Sequence, residues 1–424
     1  MKFIFWHHEV QGPLTLESLW DGSHGFAGSV GRLRLAFWLA DRGHDVLLAG
    51  CVREGSLRGV RAVSGMEWLR AEPGEGPGGN RAILVMSNPP GEADWQQVHS
   101  HRQRFAVLLW PANPIRPVWL RRTQEGCPAK IVCISEHHRE FYRIYPAFRN
   151  VEMSYLGTDL DLVAGAPREA KEENSVLFCS IPRRTKGLHN LLRAWRRVRE
   201  LAPEARLRIT GSARLHDPRA EVGRTGILDQ ELEAEFPDFF ADPPGSLDRA
   251  GIHLLGALPS LSMVYGAMKA SAVAVVNCNW RGAAELFCRS AVEAQAAGTP
   301  VVGASRGSLP EVVSHGVTGL LVRKADPSLL AEAIVRLLRD RPLRKRMEEA
   351  CPAWALRFAD YGAAARDWEE IALRALKGER TPARPAWAGD ALRGIGYGRV
   401  RAWARDRIYG TRLERRLLKW MAGK

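Results

Sequence analysis

The feature that most constrains the fold is a repeated alternation of short apolar runs with amphipathic, helix-like segments. Short apolar runs are typical of strands buried on both faces of a parallel sheet. The first set lies at residues 2–6, 46–49, 82–86, 105–110 and 130–134. The second set lies at residues 175–179, 205–209, 252–254, 273–276, 301–302 and 319–321. Because strands that alternate with helices form doubly wound sheets, the pattern predicts an α/β protein.

The length of the chain and the restart of the pattern after Asp161 predict two domains. A chain of 424 residues exceeds one ordinary core. We expect two Rossmann-like domains that face a central cleft, since ligands of such sheets bind outside the carboxyl ends of the strands. The predicted parts are residues 1–163, completed by a helix near 358–376, then residues 164–357, then a tail at 377–424. A linker is expected at 164–174, a surface excursion at 212–250, and a single helix at 30–41.

Charge and cysteine content exclude several classes of protein. The tail holds thirteen Lys and Arg against four Asp and Glu, so residues 1–376 carry only +5 of the total +14. A net charge this small on residues 1–376 argues against a nucleic-acid-binding domain. The seven cysteines form no C-x-x-C pair, which indicates neither a disulfide framework nor a zinc site. This cysteine pattern indicates a reducing compartment, so a cytoplasmic protein is expected. No apolar run reaches the ~18 residues of a membrane span.

The segment from Ala284 to Val302 contains two carboxylates that flank the start of a helix. The sequence indicates a loop with Glu285, a helix that begins near Cys288 and includes Glu293, and a stop at Gly298. Eight helical residues would separate the two carboxylates by about 12 Å along the axis, which is too far for a shared proton. The spacing suits a ligand with hydroxyl groups at both ends, whose anionic part meets the N–H groups near residues 287–289. The alternative is that each glutamate is a solvated helix charge.

This segment resembles the E-x7-E motif of the retaining GT-B glycosyltransferases of group 1, or family 4. The same resemblance continues through the runs GSLPEVV at residues 307–313 and GVTGLLV at 316–322. It implies that residues 1–163 form an acceptor domain and residues 164–357 a nucleotide-sugar donor domain. It also implies that Glu293 binds ribose hydroxyls and Glu285 binds a donor-sugar hydroxyl, with Phe287, Cys288 and Arg289 in the donor site.

Cys288 and Arg289 depart from the family pattern, which often has glycine and a small apolar residue there. We therefore hypothesise that Arg289 reaches the donor sugar or the acceptor and favours an anionic one, such as a uronate. The alternative is a solvent-facing helix charge.

The loop at residues 180–187 resembles the site where the family places an arginine and, five residues later, a lysine before glycine. Lys186 and Gly187 match the second half of this pattern, but Ile181 occupies the arginine position. The resemblance implies that Lys186 neutralises the donor pyrophosphate, with Arg183 or Arg184 as a substitute for the arginine. A solvated basic turn is the alternative.

Two positions in the first domain are weaker candidates. The glycines of residues 22–31 resemble the donor-phosphate loop of the family, with Gly28 as its best single match and a tight turn as the alternative. Asn113 follows an apolar run where relatives often place a histidine near the reacting carbon, and it is the candidate on the acceptor side.

Together these residues predict a retaining glycosyltransferase with a nucleoside-diphosphate sugar as donor. A polysaccharide or lipid-linked saccharide is the expected acceptor, and no metal, cofactor or nucleic acid is expected. One alternative is a nicotinamide-dependent oxidoreductase with paired Rossmann domains, which would need a G-x-G-x-x-G fingerprint that the chain lacks. The other is a non-catalytic binding protein of the same fold, which would show no turnover of nucleotide sugars.

The tail predicts a peripheral attachment to the cytoplasmic face of the inner membrane through residues 399–424. On a helix beginning at Arg399, six apolar residues share about a third of the circumference: Trp403, Tyr409, Leu413, Leu417, Trp420 and Met421. A basic arc lies beside them: Arg401, Arg405, Arg412, Arg415, Arg416 and Lys419. This composition is typical of interfacial helices. The alternative is that the apolar stripe packs on the first domain, because Val400, Ile408 and Leu418 lie off it.

Removal of the tail is expected to abolish binding to anionic liposomes. Each basic residue near an anionic leaflet contributes about 1 kcal/mol, so salt should weaken the attachment. Flotation of the full chain and of a variant ending at Gly378, at low and at high salt, measures this. Equal binding by both proteins, or by neither, excludes the membrane role.

Overall fold

A computed structural model describes residues 1–7, 14–23, 30–50, 52–70, 81–215, 219–281 and 284–382. Gly28 and the predicted membrane helix at 399–424 lie outside the described residues. The chain divides into two compact units. The described part of the first unit comprises Met1–Thr158 and residues 360–382. The second unit is Asp159–Ala359.

The first unit is built on an eight-stranded sheet in the order β3-β4-β2-β1-β5-β6-β7-β8. All neighbours are parallel except β3 and β4. Its strands are β1 (Lys2–His7), β2 (Asp45–Gly50), β3 (Gly55–Leu57), β4 (Val60–Ser64), β5 (Ala82–Met86), β6 (Phe105–Leu109), β7 (Lys130–Cys133) and β8 (Val151–Met153).

Seven helices in the described part of the first unit connect or cover these strands. They are α1 (Leu16–Asp21), α2 (Val30–Leu33), α3 (Leu35–Asp41), α4 (Glu92–Ser100), α5 (Pro117–Gln124), α6 (Glu136–Glu140) and the late helix α17 (Tyr361–Lys377). Short 3-10 turns lie at Glu67–Arg70 and Pro146–Asn150. Trp368 of α17 packs edge-on against Trp110, with ring centroids 4.6 Å apart, so the late helix completes the core of this unit.

The second unit is built on a six-stranded parallel sheet in the order β11-β10-β9-β12-β13-β14. Its strands are β9 (Glu172–Cys179), β10 (Arg206–Thr210), β11 (Ile252–Gly256), β12 (Ser271–Val275), β13 (Val301–Ala304) and β14 (Gly319–Val322). Its helices are α7 (Leu160–Gly165), α8 (Leu188–Leu201), α9 (Gln230–Glu235), α10 (Pro237–Phe240), α11 (Gly245–Ala250), α12 (Leu261–Lys269), α13 (Arg289–Ala296), α14 (Leu309–Val312), α15 (Pro327–Arg339) and α16 (Arg341–Ala359). A 3-10 turn lies at Arg184–Lys186.

The predicted α/β class with parallel sheets is confirmed, and all eleven predicted strands are present. Three strands of the first sheet, β3, β4 and β8, were not predicted because they are short or only half apolar. The predicted helix at 30–41 is two helices that meet at Arg34. The predicted linker at 164–174 overlaps the start of β9, and the excursion at 212–250 contains three short helices.

The described helices include none that is both long and apolar enough to cross a bilayer.

Candidate functional site

The candidate site lies where the central strands of the second sheet end. Strands β9 and β12 are parallel neighbours, so their carboxyl ends lie at the same edge. The loop after β9 carries Arg183, Arg184 and Lys186, and Asn277 follows β12 closely. In doubly wound sheets this edge is the usual place for ligands.

Gly187 seats the lysine loop against the chain that follows β12. Its φ is +84°, and a Cβ there would lie 2.5 Å from the carbonyl carbon of Cys278 and 2.6 Å from the nitrogen of Asn279. Asn190 and Asn279 add hydrogen bonds across the same contact, to the carbonyls of Cys278 and Thr185 at 2.9 and 3.3 Å. Only glycine fits so close an approach of two backbones, so the position of Lys186 is fixed by its neighbour.

Lys186, Glu285 and Asn277 meet at this edge. The Nζ of Lys186 lies 2.9 Å from Oε1 and 2.8 Å from Oε2 of Glu285. The side-chain amide of Asn277 donates to Oε2 of Glu285 at 2.7 Å, and its own Oδ1 accepts from the backbone N–H of Asn279 at 3.0 Å. The carboxylate is thus held by a charge and by an amide whose orientation is itself fixed.

The ion pair keeps Lys186 charged. Burial lowers the pKa of Lys186, but the Glu285 carboxylate raises it by more, and the pKa lies above its usual value. The side chain is 31% exposed, so a ligand can reach the cation. An ammonium group has three N–H donors, and it can bind an anion while it still contacts Glu285.

The backbone of Glu285 is anchored by the loop that follows β13. The N–H of Ser308 donates to the carbonyl of Glu285 at 2.9 Å. Gly307 has a φ of +66°, and a Cβ there would lie 2.4 Å from the same carbonyl oxygen. The GSLPE run that resembles the family therefore holds Glu285 in place.

The start of α13 uses part of the N–H groups that were expected to meet an anion. The N–H of Cys288 donates to Oγ of Ser308 at 3.1 Å, and the N–H of Arg289 donates to the carbonyl of Phe287 at 3.1 Å. The expectation that these two groups await an anion is wrong, because the loop after β13 and the turn itself already satisfy them. Phe287 and Cys288 are buried beside Glu285.

Arg289 and Glu293 form a buried ion pair one turn apart on α13. The Nε of Arg289 donates to Oε1 of Glu293 at 2.7 Å, and the side chains are 9% and 3% exposed. The hydroxyl of Tyr265 on α12 donates to the same oxygen at 3.4 Å. The alternative of a solvent-facing charge at Arg289 is therefore wrong, since the pair packs inside the unit.

The environment of Glu293 opposes its charge. Burial raises the pKa of the Glu293 carboxyl, and the Arg289 guanidinium and the Tyr265 hydroxyl offset only part of this effect. Two thiols nearby stay protonated, because burial raises the pKa of Cys179 to about 12 and that of Cys288 to about 11. Arg289 thus favours the ionised form of Glu293 and opposes the effect of burial.

The two arginines of the lysine loop have protein partners. Arg183 donates to the carbonyl of Ala213, and Arg184 donates to Glu235 on α9. Arg193 on α8 binds the other oxygen of Glu235 at 2.6 Å. Burial, together with Arg184 and Arg193, lowers the pKa of His189 to about 4, so this histidine is neutral. The structure thus brings a cationic cluster next to Lys186, with one carboxylate at its centre.

In the first unit, Asn113 is exposed in the loop after β6. A residue not singled out from the sequence, Arg32, is buried beneath the ends of β5 and β6. Its Nη1 donates to the carbonyls of Ser87 and Trp110, each at 2.7 Å. Arg32 therefore ties two strand ends together. Asn277 directly follows the predicted apolar run at 273–276, and a polar residue at that place was the signal that could have identified it.

Within the described ranges, no group of three or more His, Cys, Asp or Glu side chains could hold a metal ion.

Comparison with protein families gives one match, to the model of glycosyl transferases group 1, over residues 164–354. Curated relatives are named D-inositol 3-phosphate glycosyltransferase. That of Corynebacterium aurimucosum is 32% identical over 281 residues, which are 63% of this chain and 61% of the relative. That of Corynebacterium jeikeium is 38% identical over 135 residues, or 31% of each chain. The matches thus span between about a third and three fifths of these two relatives.

Solved structures share the fold over most of the chain. Sucrose-phosphate synthase from Thermosynechococcus elongatus has a TM-score of 0.61 and 17% identity, and covers 88% of this chain and 98% of its own. Anabaena HepE in complex with UDP has a TM-score of 0.59 and 16% identity, with coverage of 87% and 99%. AviGT4, from avilamycin A biosynthesis, has a TM-score of 0.62 and 16% identity, with coverage of 90% and 99%. The predicted GT-B fold class is confirmed.

Proposed function

From the match of residues 164–354 to the model of glycosyl transferases group 1, we propose that the chain transfers a sugar from a nucleoside-diphosphate sugar to a hydroxyl group, with retention of anomeric configuration. The observation that carries the proposal is the contact of Lys186 with Glu285 at the carboxyl edge of the second sheet. A fixed cation beside a fixed carboxylate suits a substrate that carries phosphate next to sugar hydroxyls.

Lys186 stabilises the departing diphosphate. The bond between the anomeric carbon and the phosphate oxygen breaks, and its electron pair stays on that oxygen. The acceptor oxygen forms the new bond to the anomeric carbon, and the acceptor proton passes to the departing phosphate. Negative charge grows on the diphosphate in this step, so a preorganised ammonium group lowers the barrier.

Glu285 and Glu293 bind the two ends of the donor. Glu285 accepts a hydrogen bond from a sugar hydroxyl, and Asn277 and Lys186 fix the direction of its lone pairs. Glu293 accepts from the ribose hydroxyls. Phe287 and Cys288 line this part of the donor site. Gly28, as a candidate for the donor phosphate, and Asn113, as a candidate on the acceptor side, stay predictions from the sequence.

Arg183 and Arg184 lie close to the proposed diphosphate site. Arg184 and Arg193 share the single carboxylate of Glu235, so these three side chains keep a net positive charge. We propose that this net charge, together with Lys186, binds the pyrophosphate. The reaction then needs no metal ion, and turnover is expected to persist in a chelator.

The comparisons favour particular substrates for a first trial. HepE binds UDP, and a further structure holds UDP-glucose, which favours a UDP-sugar as the donor. A polysaccharide or lipid-linked saccharide at the cytoplasmic membrane face is the proposed acceptor. The relatives' name, D-inositol 3-phosphate glycosyltransferase, favours an inositol phosphate as a second acceptor class.

Donor binding and transfer test the proposal directly. A thermal-shift series with UDP-, GDP- and ADP-sugars is expected to show one nucleotide that raises Tm in proportion to ln[ligand], since the ligand binds only the folded state. Radiolabelled donor of that nucleotide should then label a saccharide or inositol phosphate acceptor, in EDTA as well as without it. No shift with any nucleotide sugar, and no labelled product, would refute the transferase function.

A further inference from the structure

Helix α13 begins with an arginine at a place where a cation is unfavourable. Arg289 is its first residue, at the positive end of the helix macrodipole. Its side chain is 9% exposed, so most of its hydration is lost. It also precedes Glu293 by four residues, which is the less favourable order for a helical ion pair. Three costs at one residue indicate a functional reason for it.

Two donors, Arg289 and Tyr265, contact the same oxygen of Glu293. The Nε of Arg289 donates to Oε1 at 2.7 Å, and Tyr265 donates to the same atom at 3.4 Å. Neither of these bonds reaches Oε2. The pair thus fixes the carboxylate through one oxygen and turns the other away from both donors.

We propose that Arg289 is a positioning residue for the donor nucleotide, one that keeps Glu293 ionised and presents its Oε2 to the ribose hydroxyls. The inference rests on the proposed function, in which Glu293 binds the ribose. An ionised carboxylate only accepts hydrogen bonds, so both of its oxygens can accept from ribose hydroxyls. A protonated carboxyl instead presents one O–H donor, which leaves fewer acceptor positions for the ribose. Arg289 thereby extends recognition of the ribose to lower pH.

The titratable groups close to Glu293 lie on three elements. Tyr265 lies on α12, Cys179 lies at the end of β9, and Arg289 lies on α13 itself. The pKa of Cys179 is raised to about 12 by burial, so this thiol stays neutral. Arg289 is the cation that opposes the effect of burial, and its removal raises the pKa of Glu293 further.

Replacement of Arg289 by methionine therefore introduces a pH dependence of a defined sign. Because the Glu293 pKa rises, the carboxyl takes up a proton as pH falls, and ribose binding is lost at the acid end and regained at the alkaline end. A purely structural arginine would weaken every nucleotide alike. A comparison of nucleotides with and without ribose hydroxyls therefore distinguishes the two roles.

The test compares UDP with 2′,3′-dideoxy-UDP by calorimetry on the full chain, from pH 6 to pH 9. The wild type is expected to prefer UDP by at least about tenfold at every pH. Arg289→Met should lose this preference at pH 6 and regain most of it at pH 9. Arg289→Lys, which keeps the charge, should show a reduced preference that does not vary with pH. Tyr265→Phe, the matched control, removes the neutral donor to the same oxygen and should keep the flat profile.

The possible results separate this inference from the proposed function. A wild type that binds none of UDP, GDP and ADP overturns both; if GDP or ADP binds, that nucleotide and its dideoxy form replace UDP. An unchanged preference in Arg289→Met, or an equal loss of affinity for both nucleotides, overturns the role of Arg289 alone. If Arg289→Met does not fold, Arg289→Gln, also neutral, is judged by the same two criteria.

Discussion

Replacing Lys186 by alanine is expected to lower kcat by roughly 10²–10³-fold, the usual cost of removing one preorganised electrostatic contact to a transition state. The diphosphate gains charge as the sugar departs, so the ammonium group contributes more in the transition state than in the bound ground state. Donor KM should change much less. Because the Glu285 carboxylate holds the pKa of Lys186 above its usual value, the wild-type lysine stays charged throughout the neutral range. The rate difference should therefore be constant across that range.

Steady-state kinetics with the identified donor measures this effect, and Lys171→Ala is the matched control. Lys171 lies in the same unit and pairs with Glu348 at 3.0 Å, away from Glu285. Its loss should leave kcat near the wild-type value. A Lys186→Ala enzyme with wild-type kcat would show that this lysine does not stabilise the leaving group.

Replacing Glu293 by alanine is expected to raise donor KM by about 10–100-fold, since each hydrogen bond to a charged group contributes about 1.5–3 kcal/mol. Ribose contacts are equal in the ground and transition states, so kcat should fall much less than in Lys186→Ala. The same variant leaves the Arg289 cation buried without its carboxylate. Removal of one partner of a buried pair costs about 3–5 kcal/mol, so Tm should fall as well.

Glu293→Gln separates the two consequences. The amide keeps the shape of the side chain and an oxygen for Arg289, so more of the stability should return than of the donor affinity. Donor titrations and thermal melts of both variants measure this. Donor KM and kcat/KM at wild-type values in Glu293→Ala would exclude this residue from the nucleotide site.

Hydrophobic periodicity was enough to predict five of the eight strands of the first sheet and all six of the second. Apolar runs at 82–86 and 271–275 are buried on both faces, and a run of this kind has few alternatives to a central parallel strand. Strands β3 and β8 escaped prediction because each has only three residues. The break at Arg34 was missed as well. The guanidinium of Arg34 donates to the carbonyl of Trp20 at 2.7 Å, a contact that no local sequence pattern indicates.

In the candidate site, too, residues in local patterns could be predicted and residues that depend on distant contacts could not. The spacing of Glu285 and Glu293 and the Lys186–Gly187 pair were visible because each is a local pattern with a physical reason. Asn277 was missed because its role depends on a partner eight residues away, across a loop of no regular period. The free N–H groups expected at Cys288 and Arg289 were wrong for the same kind of reason, since Ser308, 20 residues after Cys288, takes one of them.

The fold class, eleven of the fourteen described strands and the residue types at the carboxyl edge of the second sheet could all be predicted from the amino-acid sequence. The pairing of the charges at that edge depends on the tertiary structure. Lys186 meets Glu285 across 99 residues and Arg184 meets Glu235 across 51, and Arg289 is buried against Glu293 although its helix position is unfavourable for a cation. Periodicity reports the burial of a backbone segment, which neighbours in sequence set. The partner of a charge depends on which strand ends the sheet order brings together, and that order is not local.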